Sequence, residues 1–363
     1  MTAVPCEPGP NPSGPNLFGR VTIILVNWNG WSDSIACIES CLALDYPAFR
    51  ILLCDNDSGD GSVEKILAWA KGEGEVARDP ASPVPVEAPR RPRGVALLDR
   101  KAAERGEDGD GAELLIIRTG GNLGFAGGNN VGLRWAMAQG SDWCWLLNND
   151  TVVPRDALAH LVKCAAGDPR IGLCGSTLME YGAPDRVQAY AGAIDLRNFR
   201  GRHLGAGHPL ANLDQAILDD PVRPQELLYP IGASILVSAD FLASTGLMEE
   251  SYFLYYEEAD WVIRAGAQFR VAIARDSLVY HKHGASAGST SDGRSARSTA
   301  FLYRSRLLIA RRLAPGQMPQ VVLSILSEAA RSLLRGRKGR VIGAWRALLG
   351  LVRVPTPSKE ASA

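Results

Sequence analysis

The sequence predicts an α/β protein with a mostly parallel sheet flanked by helices. Val21-Thr-Ile-Ile-Leu-Val26 and Ile51-Leu-Leu-Cys54 are unbroken apolar runs, the pattern of strands buried on both faces. Helical spacing separates them, so strand, helix and strand fit within about 35 residues as a βαβ unit. Three of the apolar runs end in polar clusters, and in an open α/β sheet ligands sit outside the carboxyl ends of the strands.

Taken in order, the first strand is bounded by Asn27-Trp-Asn-Gly30, and a helix follows from Ser34 to Leu44 with Ser32 or Asp33 as N-cap. The second strand, Arg50 to Cys54, runs into Asp55-Asn-Asp-Ser-Gly-Asp-Gly-Ser62, and Ser62 to Ala70 is the next helix. Lys71 to Glu113 is rich in Pro, Arg, Glu and Gly with little periodicity, which predicts an inserted flexible loop tolerated at the surface. Leu114 to Ile117 resumes the sheet, Gly120 to Gly128 is a glycine-rich turn, and Asn129 to Gln139 is a helix. Trp143 to Leu147 is a strand ending in Asn148-Asn-Asp150. Beyond it come a helix from Asp156 to Ala166, strands near Ile171 to Gly175 and Ile231 to Val237, and a helix after Phe253-Leu-Tyr-Tyr-Glu-Glu-Ala-Asp260. Two further strands, Val271 to Ala274 and Leu278 to Tyr280, lead to His281.

With 363 residues, 46% hydrophobic and 21% charged, the chain can bury a full core, which excludes disorder throughout. Charges balance overall but not locally: from Arg294 to Arg353 there are 13 Lys/Arg and one acid, Glu328, while the rest of the chain is correspondingly acidic. An acidic body with a basic tail argues against a nucleic-acid binder and points to a tail that meets an anionic surface. Val321, Val322, Ile325, Leu326, Ala329 and Leu333 share one helical side near Arg331, Arg335, Arg337, Lys338 and Arg340, as in a helix lying on an anionic leaflet. The competing expectation is an ordinary C-terminal helix packed on the body or on a second subunit. Seven cysteines without a C-x-x-C pair predict reduced core thiols. Residues 1–19 lack the basic and apolar regions of a signal peptide, and no apolar run is long enough to span a bilayer, so the expected location is cytoplasmic, at most peripheral on the inner face of the plasma membrane. The expected organisation is a disordered leader at 1–19, a catalytic domain at 20–291 and a helical, basic extension at 292–363.

The polar clusters carry the chemistry. Asp55, Asn56 and Asp57 can accept hydrogen bonds from a base or a ribose, although Asx-turn chemistry alone also explains them. Gly120-Gly-Asn-Leu-Gly-Phe-Ala-Gly-Gly-Asn-Asn130 fits neither a dinucleotide fingerprint nor a phosphate loop. It predicts a backbone that approaches a ligand closely at Gly124, Gly127 and Gly128, with Asn122, Asn129 and Asn130 as polar pins. Asp150 is a lone carboxylate able to hold a hard cation against a diphosphate, or to cap the next turn. Glu257, Glu258 and Asp260 lie together beside aromatics at a helix start; the helix dipole accounts for acids there, and mutual crowding would tune one of them as a general base. His281 and His283 face opposite ways in an extended segment, so at most one reaches a given metal, and no closed zinc pattern exists.

As a set, Val26-Asn-Trp-Asn-Gly30, Asp55 to Ser62, Asn122 to Asn130, Leu147-Asn-Asn-Asp-Thr151 and Phe253 to Asp260 resemble the family 2 glycosyltransferases of GT-A fold, in the rhamnosyltransferase-like branch that builds bacterial surface polysaccharides. The likeness runs from about Val21 to Gly288 in the family's motif order. It implies a metal-assisted, inverting transfer of a sugar from a nucleotide-diphosphate donor, first dTDP-L-rhamnose, then a UDP-hexose or furanose donor, to a lipid-linked or growing cell-wall polysaccharide. The resemblance places the donor on Asn27, Asp55, Asn56, Asp57, Asn122, Gly124, Phe125, Gly128, Asn129 and Asn149. It places Mg²⁺ or Mn²⁺ on Asp150 and His281, and the base in the Glu257, Glu258, Asp260 cluster, with Glu258 standing where relatives usually carry Asp. Asn148 stands where a D-x-D element has its first aspartate, which implies a site leaning on Asp150, the diphosphate and His281. A sugar nucleotidyltransferase would want a basic, glycine-rich signature after the first strand, which Asn27-Trp-Asn-Gly-Trp31 lacks. A non-catalytic nucleotide-sugar-binding protein on a degenerate transferase fold would not need Asp150 and all three acids. Oligomerisation stays open.

Overall fold

The computed structural model describes residues 4–5, 19–74, 76, 78–85, 90–282, 289–290 and 293–354. The first half runs β1 (Val4–Pro5), β2 (Val21–Asn27), α1 (Trp31–Leu42), β3 (Phe49–Asp55), α2 (Ser62–Lys71), β4 (Val95–Asp99), α3 (Arg100–Glu104), β5 (Leu114–Arg118), α4 (Gly124–Ala138), β6 (Trp143–Asn148), β7 (Thr151–Val152) and α5 (Ala157–Ala165). Next come β8 (Ile171–Glu180), β9 (Ala183–Ala189), β10 (Ala191–Asp195), β11 (Arg200–Leu204), α6 (Leu213–Asp219), β12 (Glu226–Tyr229), β13 (Ser234–Ser238) and α7 (Ala239–Thr245). The chain continues through α8 (Glu257–Ala265) and β14 (Arg270–His281) to α9 (Ala296–Leu313), α10 (Met318–Leu334) and α11 (Lys338–Leu348).

The main sheet has the order β1-β14-β8-β13-β6-β2-β3-β5-β4. Strands β4, β5, β3, β2 and β6 are all parallel, β13 runs antiparallel between β6 and β8, and β8 pairs with β14 in parallel again. Alternation along β2 explains why its run is apolar throughout. Ile23 and Leu25 enter the core shared with α1, α2 and α5, while Ile24 enters the opposite core with α4, α7, α8 and α9. From β2 the chain winds outward to β3 and β5 and then returns to β6 on the other side of β2. The carboxyl ends of three strands therefore lie side by side, with Asn27 level with Asp55 and Val26 level with Asn148.

Several expectations change. The stretch 71–113, expected to be a flexible loop, contains the edge strand β4, paired with β5, and the helix α3, whose Ala103 reaches the core. Its strand Val95-Ala-Leu-Leu-Asp99 is short, and flanking Pro, Arg and Gly hide it from periodicity. Helix α1 begins at Trp31 with Gly30 as N-cap and no side-chain cap, three residues earlier than its spacing suggested. Helix α4 begins at Gly124, so most of the glycine-rich stretch is helix and not turn. The reason is packing: a Cβ on Gly128 would lie 2.9 Å from Asn56 and Val26, and one on Gly132 would lie 2.6 Å from Ile24, so these glycines let α4 press against β2 and β3. Cys37, Cys41, Cys54, Cys144 and Cys174 are buried free thiols, but Cys164 is disulfide-bonded, which corrects the expectation of reduced cysteines throughout; Cys6 and His283 lie outside the described residues, with most of the leader.

The basic tail is helical and packs on the body. Tyr303, Ile309 and Ala310 of α9, Val321, Ile325 and Ala329 of α10 and Ala344 and Ala347 of α11 join the same core as α4 and α8. None of the described helices is long and apolar enough to cross a membrane.

Candidate functional site

Asn27 closes the polar end of β2 and is fully buried. Its amide nitrogen donates to Asp55 Oδ1 at 2.7 Å and Ser58 Oγ at 3.0 Å. Its oxygen accepts from Ser34 Oγ at 2.9 Å, the Gly30 N–H at 3.2 Å and Asn149 Nδ2 at 3.2 Å. Asp55 also takes the Ser58 N–H at 3.0 Å and the Ser58 hydroxyl at 2.7 Å. Asn56 is buried, donating to the Gly124 carbonyl at 2.9 Å and accepting from Thr119 Oγ1 at 3.2 Å. The three strand ends are thus welded into one floor. Asn27, Asp55, Asn56 and Asn149 fix its shape, and Asp57, exposed at φ 61°, is the residue of this cluster that turns to solvent.

The glycine-rich segment divides likewise. Gly124, Gly128 and Asn129 are buried, and Asn129 donates back to the Phe125 carbonyl at 3.0 Å. Gly124 has φ 71°, and a Cβ there would sit 2.3 Å from the Phe253 carbonyl oxygen, so both backbone angle and space demand glycine. The Phe125 N–H donates to that same carbonyl at 2.8 Å. Close approach therefore exists, but to the 250–256 loop of the protein itself. Asn122, which accepts from the Gly124 N–H at 3.1 Å, and Phe125 stay partly exposed.

The acids at the start of α8 separate into three environments. Asp260 is fully buried, accepting from Tyr252 Oη at 2.9 Å and Arg264 Nε at 2.6 Å, with Arg312 Nε of α9 at 3.7 Å. It is a structural anchor, with no oxygen left for a substrate proton. Glu257 is buried with Oε2 unpartnered, and burial plus the neighbouring Glu258 carboxylate hold its carboxyl well above the usual range. Glu258 is partly exposed, and its Oε1 accepts the Gly232 N–H at 3.0 Å. Desolvation pushes its carboxyl up as well. A Cβ on residue 232 would lie 2.6 Å from that oxygen and 3.3 Å from the Phe125 ring, so glycine is what admits Glu258.

The loop leading into these acids is strained. Phe253, Tyr255 and Tyr256 have φ of 66°, 69° and 75°, a region disfavoured for non-glycine residues. It is clamped from two sides. The glycine-rich segment holds Phe253, and α9 supplies Ser305 Oγ to the Leu254 carbonyl at 2.8 Å, Arg304 to the Ser251 carbonyl at 2.9 Å, and Phe301 stacked on Phe253 with centroids 5.0 Å apart.

Asp150 and His281 stand side by side. Strand β7 pairs with the end of β14, and His281 Nε2 lies 3.1 Å from Asp150 Oδ1, with Asn148 Nδ2 at 3.3 Å. On the far side of the ring His281 Nδ1 donates to Gln188 Oε1 at 2.6 Å, and Gln188 Nε2 donates to the His281 carbonyl at 3.2 Å. Among the described residues no group of three or more His, Cys, Asp or Glu gathers as a metal cage. The two halves of the site are joined through one strand pair: the Asn148 N–H donates to the Ala233 carbonyl at 3.0 Å, next to the Gly232 that holds Glu258.

This architecture has known counterparts. A mannosyltransferase from Pyrobaculum calidifontis, solved with GDP-Man and Mn²⁺, superposes with a TM-score of 0.53 over 95% of this chain and 90% of its own, at 15% identity. GalNAc-T7, solved with UDP, GalNAc and Mn²⁺, gives a TM-score of 0.51 at 15% identity, over 82% of this chain and 48% of its own. Both show the fold. No curated protein matches by sequence, but residues 100–207 match the family model for glycosyl transferase family 2. The chain is a glycosyltransferase of GT-A fold. The matched stretch of this transferase begins at α3 and takes in the glycine-rich segment, Asn149 and Asp150.

Two residues of the transferase's site escaped sequence reasoning. Gln188 sits in a polar middle region and reaches a partner 93 residues away, so no local pattern announces it. Gly232 had a faint signal, a glycine opening an apolar strand, but what it faces depends on α8.

Proposed function

We propose that this transferase moves a sugar, L-rhamnose from dTDP-rhamnose as the first candidate, to a hydroxyl of a lipid-linked or growing surface polysaccharide, with inversion at the anomeric carbon. The observation that carries the reading is the single β13–β6 strand pair tying Glu258, through Gly232, to the Asn148–Asp150 segment. The choice of sugar rests on the resemblance of the motifs.

In the proposed reaction Glu258 takes the acceptor hydroxyl proton as the oxygen attacks the anomeric carbon. The new glycosidic bond forms on one face, and the bond to the diphosphate breaks on the other. Burial raises both carboxyls, and Glu258, the partly exposed member of the pair, is the one a substrate hydroxyl reaches, while Glu257 is buried. Asp57, Asn122 and Phe125, the partly exposed residues of the floor and the glycine-rich segment, would contact the donor, while Asn27, Asp55, Asn56, Gly124, Gly128, Asn129 and Asn149 hold that surface in shape.

The residues fit a divalent cation, Mg²⁺ or Mn²⁺, in one respect that chance packing does not require. Gln188 Oε1 takes the Nδ1 side of the His281 ring, which turns Nε2 toward the Asp150 carboxylate, so that a nitrogen and a carboxylate stand where two ligands of one ion would. With two protein ligands, the remaining positions fall to diphosphate oxygens and water. Both structural neighbours were solved with Mn²⁺, which supports the assignment. When bound, the ion would neutralise charge on the leaving nucleoside diphosphate. Gln188→Leu is expected to weaken Mn²⁺ binding by about 10- to 100-fold, measured by paramagnetic resonance titration of free Mn²⁺ in the presence of nucleoside diphosphate. Unchanged affinity would remove His281 from the ligand set.

The test of function is donor turnover. The purified protein is given a panel of dTDP-, UDP- and GDP-sugars, and released nucleoside diphosphate is measured with metal present, chelated and restored. Release from one donor that follows the metal supports the reading and names the sugar. Release that ignores chelation would refute the metal-assisted step.

A further inference from the structure

Helix α10 is apolar on two opposite faces. Val321, Ile325 and Ala329 point into the core, so the face expected to meet a membrane is already occupied. Opposite that face stand Leu323 and Leu334, the latter 88% exposed, and Leu326 and Leu333 at its edge are exposed as well. Helix α11 repeats the pattern: Gly343, Ala344 and Ala347 face inward, while Ile342, Trp345 and Leu349 stand exposed. Of the twelve large hydrophobic side chains exposed among the described residues, eight fall between 323 and 351, so this is a patch and not scatter. A helix apolar all round is ordinarily buried, and here one side has nothing over it among the described residues.

Charge selects the occupant. From Arg331 to Arg353 there are seven Lys/Arg and no acid. The one acid of the basic tail, Glu328, is turned to Arg306 Nη1 at 2.9 Å and Tyr303 Oη at 3.0 Å, so it does not dilute the field outside. Leucines and a tryptophan set among arginines suit a surface with an acyl interior and anionic headgroups. A second copy would bring the same positive charge against itself.

We infer that the outward faces of α10 and α11 form a docking surface for an anionic lipid bilayer. This deepens the lipid-linked acceptor of the proposed function and rests on that reading, yet it is tested without it.

The full-length protein is floated with phosphatidylcholine vesicles and with vesicles containing phosphatidylglycerol, beside a Leu333→Glu/Leu334→Glu variant and an Arg335→Glu/Arg337→Glu variant. Sedimentation of all three without lipid reports oligomeric state. The expected result is binding to the anionic vesicles that weakens with salt, and a loss of about ten-fold or more in partition for each variant. Nucleoside diphosphate release from a soluble donor should be unchanged in both variants, since neither pair belongs to the site. Absence of binding by the full-length chain, or equal binding by the leucine variant, would overturn the inference. So would a stable dimer that the leucine variant converts to monomer. Because release is scored separately, failure of the docking surface and failure of the proposed reaction are distinguishable.

Discussion

Glu258→Gln should lower kcat by roughly 10²- to 10⁴-fold while leaving the KM for the nucleotide sugar nearly unchanged. Glutamine keeps the shape and can still accept the Gly232 N–H, so donor geometry survives and only proton acceptance is lost. The pH dependence gives an independent check. Burial raises the Glu258 carboxyl, and a base works only when ionised, so kcat/KM should climb as pH rises through that raised value and level off above it. In the variant this limb disappears. Measuring kcat/KM across about pH 5 to 9 for both proteins reads it directly. A variant that keeps both its rate and its acid limb would move the base to Glu257, the other acid that Asp260's ion pairs leave available.

Arg306→Ala should destabilise the fold by about 3–5 kcal/mol, read as a fall in the urea midpoint. The guanidinium is 2% exposed and donates to the Asn198 carbonyl at 2.8 Å, Glu328 Oε1 at 2.9 Å and Ser324 Oγ at 2.7 Å. It therefore fastens α9 to α10 and both to the turn after β10. Removing it strands Glu328, largely buried, without its main countercharge. An exposed pair such as Arg155 with Asp45, both more than half exposed, offers the comparison: breaking it should leave the urea midpoint nearly unchanged. Equal losses at the two sites would mean that α9 is not integral to the core.

The parallel half of the sheet was legible because its strands are buried on both faces, and burial on both faces leaves uninterrupted apolar runs such as Val21–Val26. Asp150 was legible because it lies just past such a strand, and His281 because it follows two short apolar runs; the structure brings them to 3.1 Å. What the residues do was less legible. The glycines between 124 and 132 look the same in sequence whether they face a ligand or a neighbouring side chain, and here Gly128 and Gly132 face Asn56 and Ile24. Likewise Glu257, Glu258 and Asp260 are three acids in four positions of a helix start. Only the partners tell an anchor from a base: Arg264 and Arg312 hold Asp260, the Gly232 N–H holds Glu258, and Glu257 keeps an unpartnered Oε2; of these, Arg312 comes from α9 and Gly232 from the segment before β13. Strand β4 was missed because an edge strand needs only one apolar side.

The clamp on the 250–256 loop also orders events in time. Chains emerge from the ribosome N-terminus first, and the elements that build the polar floor, from β2 to β7, can pair as soon as they appear. The left-handed backbone at Phe253, Tyr255 and Tyr256 has no such early support, because Phe301, Arg304 and Ser305 are translated about fifty residues later. A nascent or prematurely terminated chain would thus assemble the surface for a nucleotide before it could hold the acid against a substrate. Competence to react arrives late, with α9, the helix that leads into those carrying the leucines and arginines of the outer face.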